Sequence, residues 1–174
     1  GVGVASLYNL TSGSWNVATG DYGLFSATTG SYNTSVGSEA LRSNTTANSN
    51  TAVGFQSLYA NTTGTENTVV GTNGAGGANT TGQQNSAFGG YSFKSNTTGS
   101  YNTALGHSAL FNNTTASNNT AVGYQSLYTN TGASNTAVGY QSAYTNSSGT
   151  GIAAVGFGAL YSNTTGSYNT ALGY

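Results

Sequence analysis

The chain has no cysteine, no proline and no methionine, and almost no charge: its 174 residues include two Lys/Arg, three Asp/Glu and one His. Without cysteine there are no disulfides and no thiolate metal sites, and an oxidising exterior is compatible with the sequence. With Arg42 and Lys94 as the only fixed cations, the basic footprint of a nucleic-acid binder is missing. No run approaches ~18 consecutive apolar residues, so no segment reads as a membrane-spanning helix. No secretory leader is recognisable, and the first residue is not Met, which fits a segment of a longer chain. Asp21, Glu39, Glu66 and His107 are too few and too scattered for acid–base or metal chemistry. No catalytic residue, metal site or cofactor is therefore expected, and the chain does not read as an enzyme.

What is abundant is Gly, Tyr and neutral polar residues, and their order is periodic. The Gly that ends each "NTAVG"-like phrase falls at Gly3, Gly20, Gly37, Gly54, Gly71, Gly89, Gly106, Gly123, Gly139, Gly156 and Gly173. The spacing is 17 residues, with one of 18 after Gly71 and one of 16 after Gly123. The short one reads "NTG" at Asn130 to Gly132 where most copies read "NTTG". Such regularity argues against disorder and for a solenoid, in which one unit cannot bury its apolar side but stacked units can.

Positions are counted from this Gly as zero. Two files stay apolar: −1 (Val53, Val70, Phe88, Leu105, Val122, Val138, Val155) and +4 (Leu58, Phe93, Leu110, Leu127, Leu160). These twelve residues are the expected core. The unit is too short for a helix pair and shows no helical period, so it reads as two short extended segments, "NTAVG" and "QSLY", joined by a Gly corner and an "NTTGS" turn. The expected fold is all-β: a parallel β-solenoid (β-roll) of 17-residue coils and about ten rungs, one array over residues 1–174 with an irregular rung at 71–89.

Stacking explains the missing charge. Equivalent residues lie ~4.8 Å apart in a parallel coil, so a consensus charge would repel its own copies. Asn, Thr and Ser can instead hydrogen-bond along the file. The rare charges fall at +1, +2, +5 and +12, which marks those positions as solvent-facing. The same positions carry the aromatics, and Tyr124, Tyr128, Tyr140, Tyr144, Phe157 and Tyr161 are the candidate ligand-binding surface. Packing between chains is the competing role for these rings. The small residues at −2 and +3 are where a neighbouring chain is expected to approach, since the apolar seam is thin for a chain of this length.

Several motifs invite sharper readings. "GTNGAGG" at Gly71 to Gly77 lacks the Lys-Ser/Thr ending of a phosphate loop and reads as the irregular rung. The "NTT" triplets at Asn44, Asn61, Asn79, Asn96 and Asn163 fit the glycosylation sequon, but ladder and turn duty accounts for them. His107 stands in an aromatic file. Ice binding through Thr is a minor alternative, because the paired Thr of each turn are adjacent and no flat T-x-T file is legible.

The phrases "NTAVGFQS" (Asn50 to Ser57), "NTALGHSA" (Asn102 to Ala109) and "NTAVGYQS" (Asn119 to Ser126) resemble the head repeats of YadA-like trimeric autotransporter adhesins. The array also resembles repeats in the shafts of phage tail fibres. The resemblance implies a left-handed roll, three chains about one axis, and an extracellular location on a cell surface or virion, used for attachment to a host-surface glycan or protein. The adhesin heads have shorter repeats, and no stalk or membrane anchor is seen here. A self-assembling filament without a specific ligand is the alternative. No nucleic acid and no membrane insertion by this segment are expected.

Overall fold

In the computed structural model, which describes all 174 residues, each "NTAV" phrase supplies one short strand. The ten strands are β1 (Val17–Thr19), β2 (Thr34–Val36), β3 (Thr51–Val53), β4 (Thr68–Val70), β5 (Ser86–Phe88), β6 (Thr103–Leu105), β7 (Thr120–Val122), β8 (Thr136–Val138), β9 (Ala153–Val155) and β10 (Thr170–Leu172). They form one parallel sheet in sequence order, each paired with its copy one coil away, so that Thr51, Ala52 and Val53 lie opposite Thr68, Val69 and Val70. The chain is a β-solenoid, and neither the 18-residue nor the 16-residue coil disturbs the strand register. It contains no helix.

The strand decides which side chains go inside. Successive residues point to opposite faces; −4 and −2 share one face, −3 and −1 the other. The Asn at −4 and the Ala at −2 are buried: Asn50, Ala52, Asn67, Val69, Asn102 and Ala104 are at most 1% exposed. The −1 file is consequently on the outside. Phe88, Leu105 and Val155 are exposed, and Val53, Val70, Val122 and Val138 are half-buried. These seven residues do form a vertical file in adjacent layers, but it lines the exterior of the sheet and not the core.

The core is instead built from the Leu file at +4 facing small residues at −2 and +3. Leu58, Phe93, Leu110 and Leu127 are essentially inaccessible, and Leu160 packs against the cluster while half-buried. The −2 and +3 files are therefore closed to a neighbouring chain. Ser at +3 is satisfied across the core, Ser57 Oγ donating to Val69 O (3.1 Å) and Ser142 Oγ to Ala154 O (2.8 Å).

Only one of the two extended segments forms. The "QSLY" stretch is a series of turns, with left-handed backbone at +2 and +4: Gln56 and Leu58 have φ of 56° and 51°, Gln125 and Leu127 53° and 50°. A third left-handed residue sits at +12, as at Tyr32, Glu66 and Tyr101. Such conformations cost about 1–2 kcal/mol each in non-glycine residues, so neighbouring coils must hold them in place. They do: 89 of the 107 backbone hydrogen bonds lie outside the strands, among them Leu41 N to Ser57 O and Gln56 N to Ser38 O (both 3.0 Å). The corner Gly is obligatory for a further reason. Its φ is 121–138° in every copy but Gly71, and a Cβ on Gly20 would lie 2.5 Å from the carbonyl carbon of Gly37.

Two buried asparagine ladders replace a larger apolar core. At −4, Asn50 N donates to Asn33 Oδ1 (3.0 Å) and Asn50 Nδ2 to Gly64 O (2.8 Å). At +7, Asn61 Nδ2 donates to Asn44 Oδ1 (3.0 Å) and to Gly64 O (2.9 Å). Asn44, Asn61, Asn79 and Asn96 of the sequons are fully buried, so the folded coil offers no free amide there to a glycan. The first Thr of each turn bonds along its own file, as from Thr62 Oγ1 to Thr80 O (3.1 Å).

The extra residue of the 18-residue coil is absorbed at Asn73–Gly74, both left-handed. Leu58 N then donates to Ala75 O, and Ala60 N to Gly77 O. This pairing places Ala75 at +3, Gly76 in the Leu file and Gly77 in the aromatic file, one place later than counting from Gly71 suggests.

Candidate ligand surface: the aromatic files

The turn after each corner Gly points +1 and +5 outward on the same side of the coil, and stacking aligns them into two columns. Tyr124, Tyr140 and Phe157 stack at 5.3 and 4.9 Å between centroids, with interplanar angles of 14° and 8°. Tyr128, Tyr144 and Tyr161 stack beside them at 5.1 Å in both steps, with angles of 9° and 8°. All six sequence-derived candidates are thus brought together. His107 and Phe111 extend the columns, stacking on Tyr124 (5.7 Å) and Tyr128 (5.0 Å). Between the columns runs the +2 file, where Gln141 Nε2 donates to Gln125 Oε1 (2.8 Å).

This geometry limits what the surface can recognise. Ring faces are occupied by the rings above and below, so the columns offer ring edges, phenol hydroxyls and carboxamides. A sugar seeking a flat ring face finds none within an unbroken column. Burial, reinforced by the neighbouring phenols of Tyr128, Tyr161 and Tyr124, raises the pKa of Tyr144 above the ordinary tyrosine value. The Tyr144 hydroxyl therefore keeps its proton and can donate a hydrogen bond at physiological pH.

Each carboxylate is engaged by an adjacent coil. Asp21 Oδ1 accepts from Val4 N (2.8 Å), Glu39 Oε2 from Gln56 Nε2 (2.7 Å) and Glu66 Oε2 from Gln84 Nε2 (2.8 Å). His107 Nδ1 lies 3.0 Å from Ser108 Oγ. At +12, Trp15 stacks on Tyr32 at 4.8 Å, a separate aromatic pair on the opposite turn.

Sequence reasoning did not foresee the outward strand face as a surface. There the Thr at −3 (Thr34, Thr51, Thr68, Thr103, Thr120, Thr136) runs beside the apolar file at −1, with no charged residue in either. The signal was available: Asn at −4 and Val at −1 differ in parity, so a buried Asn ladder puts the Val outside. Comparison with protein-family models, with curated proteins and with solved structures returned no match.

Proposed function

We propose that this chain is a rigid module of an extracellular attachment fibre, the shaft or head of a surface adhesin or tail fibre, assembling with copies of itself as a trimer. The observation that supports this best is the outward −1 file. Val36, Val53, Val70, Phe88, Leu105, Val122, Val138 and Val155 run uninterrupted along the sheet, over eight rungs or roughly 34 Å at ~4.8 Å per rung. Phe88 and Leu105 are 40% and 47% exposed. A contiguous apolar strip of this kind marks an association surface. The strip carries no charge, so a second copy of the same surface meets no like-charge repulsion. Three such strips about one axis would shed their apolar exposure and leave both aromatic columns facing outward for attachment.

The T-x-V pattern of this face is also the observation nearest to an ice-binding reading. Phe88 and Leu105 project from its middle and spoil the flatness that a lattice match requires, so association is the better-supported use.

Sedimentation equilibrium of the wild type and of Phe88→Asp/Leu105→Asp tests the reading. The expected result is a discrete trimer for the wild type and a folded monomer for the variant, because both residues lie outside the core. A wild type that stays monomeric at high micromolar concentration, or a variant that still associates, overturns it. Attachment of the trimer to host cells, lost in Tyr128→Ala/Tyr144→Ala/Tyr161→Ala with the oligomer intact, tests the recognition role of the columns.

A further inference from the structure

At the irregular rung both aromatic files are interrupted together. In the +5 file Tyr59 is followed by Gly77, which has no side chain, and then by Lys94 before the rings resume at Phe111. The +1 file is interrupted alongside, at Thr72 and Gly90. The result is an open notch of about 420 Å³ lined by Tyr59, Gln56, Asn73, Gly74, Gly77 and Lys94. Within the columns one ring occupies one rung, at 5.0–5.1 Å. The absent ring at Gly77 therefore leaves a slot one ring thick.

The walls are chemically distinct from the rest of the exterior. Tyr59 is braced from the preceding coil by Arg42, whose Cζ lies 5.6 Å from the ring centroid and whose Nη1 donates to Tyr59 Oη. By coil order the other face of Tyr59 is turned to the notch, where Gly77 offers no ring to stack on it. Lys94 comes from the far side, its Nζ 4.6 Å from the Tyr91 ring. The only two fixed cations of the chain thus flank one feature. Gln56 has committed Nε2 to Glu39, which leaves its Oε1 to accept. Asn73 is exposed on the added loop, and a Cβ on Gly74 would meet no atom within 4 Å.

We propose that this notch is a binding site for an acidic pyranose, one uronic-acid residue of a glycan. The C–H face of the sugar would lie on Tyr59, ring hydroxyls would meet the Gln56 and Asn73 carboxamides, and the carboxylate would pair with Lys94. A neutral hexose gives up the pairing with Lys94. A planar aromatic acid fills the slot but leaves the carboxamides without partners, and such losses discriminate strongly. A pocket of this volume with a few convergent polar groups is of ordinary ligand-site size. The inference deepens the attachment reading, since it supplies a glycan chemistry that the unbroken columns do not.

The test is a titration of the intact chain with methyl β-glucuronide, methyl β-glucoside and benzoate, followed by NMR. Glucuronide is expected to bind at least tenfold more tightly than either of the others. Lys94→Gln should bring glucuronide down to the glucoside level. Gly74→Tyr places a ring in the slot at a backbone position where Tyr22 and Tyr91 take similar φ values of 57° and 56°; it should abolish binding while thermal melting confirms a folded solenoid. Trp15→Ala, in the separate aromatic pair with Tyr32, should leave binding unchanged. The proposal falls if glucuronide does not bind, if it binds no better than glucoside, or if Lys94→Gln leaves its affinity unchanged, and the Lys94 arm decides should Gly74→Tyr fail to fold. Loss of glucuronide binding with the trimer and its host-cell attachment intact would remove the notch site alone and leave the attachment reading standing.

Discussion

Val69 fills the space that Gly76 leaves empty: a Cβ on Gly76 would lie 3.3 Å from Val69 Cγ2 and 3.2 Å from Leu58 Cδ2. Gly76 stands where most other coils have Leu, and Val69 is the only residue larger than Ala or Ser in the buried −2 file. One rung on, the +4 file carries Phe93 instead of Leu, also fully buried. The loss of one large side chain is thus offset by two gains, and the irregular rung stays packed.

Val69→Ala should therefore open a cavity and destabilise the array by about 2 kcal/mol. Gly76→Leu alone should overpack the site and cost about 1–3 kcal/mol, although its φ of 58° already matches that of the Leu file. The double variant should be more stable than the sum of the two losses predicts. Denaturant midpoints of all four proteins give the coupling, and strict additivity would refute the exchange of volume.

The 16-residue coil makes a sharper case. Its turn reads Asn130–Thr131–Gly132, one Thr short; the +7 asparagine ladder breaks there, while the −4 ladder keeps its backbone bond from Asn135 N to Asn119 Oδ1 (3.0 Å) but loses side-chain partners. Asn130 Nδ2 bonds Gly132 O (2.6 Å) instead of reaching Asn113, and Asn135 Nδ2 bonds Asn130 Oδ1 (2.9 Å) across the ladders. Asn113 Oδ1 and Asn119 Nδ2 are left buried without partners. Inserting a Thr after Thr131 restores "NTTG" and should satisfy both atoms, a gain of about 2–6 kcal/mol at 1–3 kcal/mol for each unsatisfied group. A higher melting temperature is expected; an unchanged or lower one would show that the two orphaned atoms are not what the deletion costs.

Removing a ladder residue should do the reverse. Asn61 links Asn44, Gly64 and Asn79, the last through Nδ2 of Asn79 to Asn61 Oδ1 (2.9 Å). Asn61→Ala orphans buried groups on both sides and should cost about 3 kcal/mol. Asn163→Ala, in the half-buried terminal copy, should cost clearly less. Equal losses at the two positions would mean that the ladder's strength does not come from burial. Ile152, buried in the −4 file, shows where an apolar residue is accommodated: its backbone N still donates to Asn135 Oδ1 (3.0 Å).

These relationships show where the sequence was transparent. The corner Gly, the period and the Leu file are visible because each follows from a rule that repetition amplifies: close backbone approach, parallel stacking and burial of the largest aliphatic residue. The aromatic columns were legible because Asp21, Arg42 and His107 share their positions. Val53 and Phe88 read as core by hydrophobicity alone, but strand parity puts them on the outer face, and the smallness of Ala52 and Ala104 is what marks the inner one. The left-handed turns at Gln56 and Leu58 carry no sequence signal, since Gly or Asn is the usual occupant of that conformation. They are imposed by coil-to-coil bonding, which no single repeat reveals. The notch at Gly77 was visible as a lost Tyr, but its walls needed the stacking geometry.

The phenol columns should register in the pH dependence of stability. Burial and the surrounding phenols raise the pKa of Tyr144 in the native state, whereas an unfolded tyrosine ionises near pH ~10. Between those two values the folded state holds the proton and the unfolded state releases it, so rising pH favours unfolding. The contribution is fully present below about pH 10 and is lost as pH climbs through the native pKa. Denaturant midpoints should be flat from neutral pH to about pH 9.5 and then fall. Tyr144→Phe keeps the ring stack with Tyr128 and Tyr161 but has no proton to lose, so its alkaline decline should be shallower. Phenolate absorbance should show a fraction of the tyrosines titrating late in the folded wild type, reduced in Tyr144→Phe. Identical alkaline profiles for the two proteins would place the burden of ionisation elsewhere in the columns.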